Sequence, residues 1–191
     1  MNKFEIPENV LDLIGDKIYT HAKLYYNIPI KAEYFESIVS TSLECDWKPM
    51  NHNPNQDMET HIPNMLRPSL KAGVVKNGFL HFSSHRTTEH QTLQGKIDFL
   101  NSREYDSYLC LTRDKKSNKI HKYKLVYFPK HLIDWNSIQW IDTYSKKGKH
   151  SGYHGTNPDG TVRAKIVFSM SDQVWIDIDM NLTTILREYE Y

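Results

Sequence analysis

Cysteine is scarce in this chain: Cys45 and Cys110 are the only two among 191 residues, too few for a disulfide framework. Both read as small core residues of an intracellular protein. Long apolar runs are missing too. No stretch of roughly 18 apolar residues occurs, so no membrane span is expected. The opening segment, Met1-Asn2-Lys3-Phe4-Glu5-Ile6-Pro7, lacks the apolar core of a secretory signal, which leaves a cytoplasmic location as the expectation. There is no Gly-rich phosphate loop, no G-x-S-x-G elbow and no dinucleotide fingerprint, which argues against NTPases, α/β-hydrolases and Rossmann enzymes. Ten histidines are present, yet none forms a pair with zinc-like partners. His81 and His85 stand four apart, but on a predicted strand, so a ββα-metal nuclease is a poor second reading.

What is present is an ordinary globular composition, 39% apolar and 25% charged, of a length that suits one domain over residues 1–191. The net charge of +1 hides a strong asymmetry. Residues 1–66 carry five Lys against ten Asp or Glu, and residues 171–191 carry one Arg against five. Residues 67–170 carry eighteen Lys or Arg against eight acids. Such a basic middle suits a polyanion, while the acidic flanks offer carboxylates to a metal. A merely solvated basic face is the plainer alternative.

Helical spacing of Val10, Leu11, Ile14, Ile18 and His21, then of Phe35, Ile38, Val39 and Leu43, predicts two helices within residues 8–45, broken near Pro29. Trp47 to Pro68 is rich in Asn, Pro and His and reads as loop or short strand. Residues 69–76 and 79–86 flank Asn77-Gly78, the strongest short-range hairpin signal. Thr92 to Leu100 predicts a helix, with Thr87, Thr88 or Thr92 as N-cap. Strands are expected at 108–111, 124–128, 138–141, 162–168 and 174–178. A Lys-, Gly- and His-rich loop is expected over 145–160, and a short helix at the chain's end. The order predicts an α/β domain around a mixed sheet.

Hydrolysing a phosphodiester with a divalent metal needs hard oxygen ligands and a cation near the attacking water. The chain offers Glu33 and Glu36 on the second helix, Asp57 in the loop, and Ser69-x-Lys71 opening the hairpin. Counting back from the two-residue turn pairs Lys71 with Ser84 and Ser69 with Arg86, which would gather two cations and two hydroxyls on one face. Bland alternatives stand beside each: a surface helix for Glu33 and Glu36, a loop turn for Asp57, an edge-strand gatekeeper for Lys71.

Asp57, a gap of eleven residues, then Ser69-Leu70-Lys71 resembles the PD-(D/E)XK active site of type II restriction endonucleases. The resemblance spans roughly residues 30–112. It takes in Ala32-Glu33-Tyr34-Phe35-Glu36, Trp47, His52-Asn53-Pro54-Asn55-Gln56-Asp57 and Ser83-Ser84-His85-Arg86-Thr87. Two positions depart from the family's pattern: Gln56 precedes Asp57 where Pro is usual, and Ser69 replaces the acid two residues before the lysine. The resemblance implies a restriction-endonuclease-like mixed sheet flanked by helices and Mg2+-dependent cutting of double-stranded DNA at a specific site. It implies Asp57 and a helical carboxylate as metal ligands, with Glu36 preferred, then Glu33, and Glu89 as a further candidate. Lys71 would assist the attacking water beside Ser69, and Ser84, His85 and Arg86 would contact the DNA. Palindromic sites make a homodimer the default. Lys146, Lys147, Lys149 and His150 are further expected DNA contacts, in a loop suited to clamping phosphates. A DNA-binding module without catalysis is the rival expectation. Ser171-Asp172-Gln173-Val174-Trp175 resembles C-terminal segments of such enzymes but carries no assigned role.

Overall fold

The structure, a computed structural model, describes residues 6–25, 28–44, 58–62, 65–114 and 122–191. The expected helices form as α1 (Glu8–Leu24) and α2 (Ala32–Ser42). Each turns its apolar stripe inward: Leu11, Ile14 and Ile18 from α1, and Phe35, Ile38 and Val39 from α2, are buried. The hairpin follows as β1 (Pro68–Lys76) and β2 (Phe79–Arg86). Asn77 and Gly78 have φ of 52° and 80°, the doubly positive geometry of a type I′ turn. Helix α3 (Leu93–Asn101) starts at Thr92, whose side-chain oxygen accepts from the Gly95 amide at 3.1 Å and caps the first turn.

Seven further strands follow among the described residues, beginning with β3 (Ser107–Asp114), β4 (Lys122–Pro129), β5 (Gln139–Tyr144), β6 (His150–Thr156), β7 (Val162–Val167) and β8 (Gln173–Asp179). The last strand is β9 (Thr184–Glu190). All nine form one mixed sheet in the order β5-β6-β7-β8-β2-β1-β3-β4-β9. Among the described residues β1 and β3 form its single parallel pair, and the other neighbours run antiparallel.

Strand alternation divides the interior into two cores. Leu70, Leu109, Leu111, Leu125 and Tyr127 join α1 and α2 on one side. Phe82, Tyr108, Cys110, Val126 and Phe128 face the other way, where α3, the Ile133–Ile138 segment and the inward residues of β7 and β8 meet them. Among the described residues no helix is long and apolar enough to cross a membrane.

Two expectations are corrected. Half of the predicted 145–160 loop is strand β6, because its neighbours β5 and β7 supply what its composition does not. Gly152, at φ 146°, lies so near β7 that an added Cβ would fall 1.9 Å from the Ile166 carbonyl oxygen. The chain's end is a strand, not a helix. Thr184, Ile185 and Tyr189 are good strand formers, and pairing with β4 draws the segment into the sheet. From β9, the Tyr189 hydroxyl donates to the Leu11 carbonyl at 3.0 Å, and Arg187 pairs with Asp12 at 3.0 Å and with Glu8.

Candidate functional site

Because β1 and β2 are antiparallel, and β8, β7, β6 and β5 continue the alternation, one end of the sheet collects complementary strand termini. At that end lie the start of β1 with Ser69 and Lys71, the finish of β2 with Ser84, His85 and Arg86, the start of β8, and the β5–β6 turn with its lysines. The Asn77-Gly78 turn lies at the opposite end.

The hairpin register holds near the turn, with Lys76 opposite Phe79, and the β1–β2 ladder runs as far as Gly73 opposite Phe82. The expected pairs Lys71–Ser84 and Ser69–Arg86 lie beyond it and do not form. From there β1 stays with β3, while β2 pairs with β8 through a register shift between Ser83 and Arg86. Ser69 and Lys71 stand beside Tyr108 and Cys110 on β3, turned away from the α1/α2 side that takes Leu70. Ser69 is buried, and the Lys71 ammonium donates to the Leu70 carbonyl at 2.9 Å. Burial pushes the Cys110 thiol far above its ordinary range, and the Lys71 charge pulls it partly back. Burial likewise raises the Tyr108 phenol, with Tyr105 adding to the effect and the Ser84 hydroxyl opposing it. Lys71 thus reaches Cys110 and Ser84 reaches Tyr108, two positions apart on β3, without the two being cross-strand partners.

His85 is half-buried, stacked at 5.6 Å on Tyr105 and edge-on at 6.2 Å to Phe99. Arg86 is exposed. This segment is braced by a feature the sequence reading left without a role. Ser171 and Asp172 both adopt left-handed backbone, at φ 56° and 50°, and form a tight corner before β8. The Asp172 carbonyl accepts from the Thr87 amide at 3.2 Å, and the Gln173 amide donates to the Ser84 carbonyl at 2.7 Å. Beneath the corner, the buried Lys96 ammonium contacts the Asp172 carboxylate at 2.6 Å, the Thr87 carbonyl at 2.9 Å and the His90 carbonyl. A lysine inside the Leu93–Ile97–Leu100 stripe was the one sequence signal for this brace.

The β5–β6 turn exposes Lys146, Lys147 and Lys149, none in an ion pair among the described residues. Gly148 at φ 74° lets the chain reverse, and the Ser145 amide donates to the Lys149 carbonyl at 2.8 Å. His150 is instead anchored, against Tyr153 and Phe168 at 4.9 Å each and beside the Gly152 carbonyl at 2.9 Å.

Of the carboxylates, Glu36 is half-buried on α2, the helix that packs over the Leu70 side of β1, and Glu33 is exposed there. Glu89 is exposed on the turn entering α3, the helix on the other side of the sheet. Asp57 lies outside the described residues, and among those described no three His, Cys, Asp or Glu gather into a metal-holding group. The donor types expected at the site, two carboxylates, are the hard oxygens that suit Mg2+. Neither the family models nor the curated proteins compared with this chain give a match.

Proposed function

We propose that the chain is a site-specific, Mg2+-dependent endonuclease of double-stranded DNA, with the mixed sheet serving as a restriction-endonuclease-like scaffold. The observation that carries this reading is the convergence of Ser69-x-Lys71, the braced Ser84-His85-Arg86 segment and the lysine turn on one end of the sheet. Four strand spacings separate β1 from β6, about 19 Å along the sheet at the usual ~4.8 Å each. That matches about five to six base pairs at roughly 3.4 Å each, so one duplex can meet both the cutting residues and the turn.

In this reading Asp57 and a glutamate would hold the metal: Glu36, the carboxylate expected from the sequence, stands with Glu33 on α2 over the opposite side of the sheet from Lys71, which leaves Glu89, on the turn entering α3, as the candidate on the Lys71 side. Bound there, Mg2+ would lower the pKa of a water and offset negative charge at the scissile phosphate. Lys71 would orient the attacking water and help deprotonate it, with Ser69 beside it. Arg86 and Ser84 contact the phosphate, and His85 is held beside them by its aromatic neighbours. Lys146, Lys147 and Lys149 grip the backbone, with His150 fixing their turn. A homodimer would let each subunit cut one strand of a palindrome.

The test is incubation with mixed plasmid and phage DNA in Mg2+ and in EDTA, for the parent and for Asp57→Ala, Lys71→Ala, Glu36→Gln, Glu33→Gln and Glu89→Gln. Discrete, EDTA-sensitive fragments lost in Asp57→Ala and Lys71→Ala, with binding kept, are expected. Normal cutting by either variant overturns the site. A gel shift without any cutting makes the chain a DNA-binding module instead.

A further inference from the structure

A second cluster lies at the other end of the hairpin and on the other side of the sheet from Lys71. Helices α1 and α2 pack on β1, β3, β4 and β9, and none of their core partners comes from β2, β7 or β8. Among the described residues, that half of the sheet face is left without a helix. Its outward residues are Phe79 and His81 on β2, Trp175 and Asp177 on β8, and Arg163 and Lys165 on β7, alternating with the buried Leu80, Ile176 and Ala164.

These side chains are organised. His81 Nδ1 sits 2.5 Å from Asp177 Oδ1, and its ring lies parallel to Trp175 at 5.0 Å and 7°. Donation from Nδ1 to the carboxylate fixes the tautomer that leaves Nε2 as the ring's remaining polar atom. The Arg163 guanidinium carbon stands 4.1 Å from the Phe79 ring centroid. A stacked guanidinium keeps its N–H edges in plane for an oxyanion. Lys76, Arg163 and Lys165 line one pocket of about 350 Å³ with His81 and Asp177, and none of the three cations has a carboxylate partner among the described residues. The single acid is engaged by His81, so the pocket carries an excess of positive charge with preset donors.

We propose that this pocket is a phosphate-binding subsite, in which Arg163, Lys165 and Lys76 hold a phosphate oxyanion beside the His81–Asp177–Trp175 unit. It is independent of the cleavage reading: the five residue steps along β1 from Lys71 to Lys76 set it roughly 16 Å along the strand from the cutting end. The ligand is a phosphate ester, either on a free nucleotide or on a nucleic-acid backbone.

The experiment follows the His81 ring and Trp175 indole resonances while the full chain is titrated with inorganic phosphate, with adenosine monophosphate and with a duplex of about 20 base pairs, at two salt concentrations. Saturable shifts of both residues are expected. Arg163→Gln with Lys165→Gln should weaken binding at least about tenfold, a loss of roughly 1.4 kcal/mol, with the rest of the spectrum unchanged. Lys71→Ala should leave the response to inorganic phosphate unaltered. A response to phosphate and mononucleotide alone identifies a small ligand. A response to duplex that falls with salt and loses slope in the double variant identifies backbone contact. Absence of shifts with all three, or equal affinity in the double variant, overturns the subsite. So does a change of oligomeric state in the double variant with phosphate affinity untouched, which would make the patch a self-association surface.

Discussion

The ammonium of Lys96 and the carboxylate of Asp172 meet at 2.6 Å across 76 residues of sequence, with the lysine side chain only 2% exposed. This pair fastens the start of α3 to the corner before β8, and between them they hold the Ser84–Thr88 segment. Breaking a buried pair from one side leaves an uncompensated charge, at a cost of about 3–5 kcal/mol. Lys96→Met is therefore expected to lower the melting temperature by roughly 6–20 °C, taking about 2–4 °C per kcal/mol for a chain of this size. Asp172→Asn should cost less, since asparagine tolerates the left-handed backbone and can still accept a hydrogen bond. Calorimetry on both variants checks this. A Lys96→Met protein that melts with the parent would show that the brace contributes nothing.

Removing the charges of the β5–β6 turn should act on DNA affinity through salt. The side chains of Lys146, Lys147 and Lys149 are exposed, so their replacement by alanine should leave the fold intact. Each lost phosphate contact lowers the slope of log affinity against log salt by about 0.9, so the triple variant should lose up to roughly 2.7. Fluorescence anisotropy with labelled duplex at several salt concentrations measures the slope. An unchanged slope would remove the turn from the interface.

His21 gives a pH dependence with a definite sign. It is 9% exposed on α1, its ring lies near Tyr25 at 5.1 Å and Tyr34 at 5.5 Å, and its Nδ1 has no hydrogen-bond partner among the described residues. Burial lowers its pKa below the ordinary histidine value. The unfolded chain therefore takes up the proton first. The stability that neutral His21 contributes is complete above about pH 6.5 and is lost as pH falls through the lower folded-state value. His21→Phe should narrow the difference between urea midpoints at pH 7.5 and 5.5. An undiminished difference would assign that pH dependence to other groups.

How much of this was legible depended on how local the cause was. Asn77-Gly78 writes its own turn, and the spacing of Leu11, Ile14 and Ile18 writes a helix face, so both could be read directly. Strands β6 and β9 owe their existence to partners elsewhere in the chain: Gly152 and Gly155 look like loop residues until β7 lies beside them. The same limit hid the site's supports. Ser69, Lys71 and Ser84 could be singled out from residue type. That the hairpin ladder stops at Gly73 and Phe82, and that Asp172 reaches Lys96, depends on how β8 docks. The His81–Asp177 contact needs the β2–β8 register, which no local pattern specifies.

Strand β9 has a consequence for how the protein is made. The Tyr189 hydroxyl reaches back 178 positions to the Leu11 carbonyl, and Arg187 reaches Asp12 across 175. At about 5–20 residues per second, a ribosome needs roughly 10–35 s to travel that interval. Throughout it, the first helix has its partners on α2, β1, β3 and β4 but not the strand that clamps it, and that last contact waits on translation speed rather than on its own helix-forming rate. The nascent chain thus offers chaperones a window that closes when the last strand emerges.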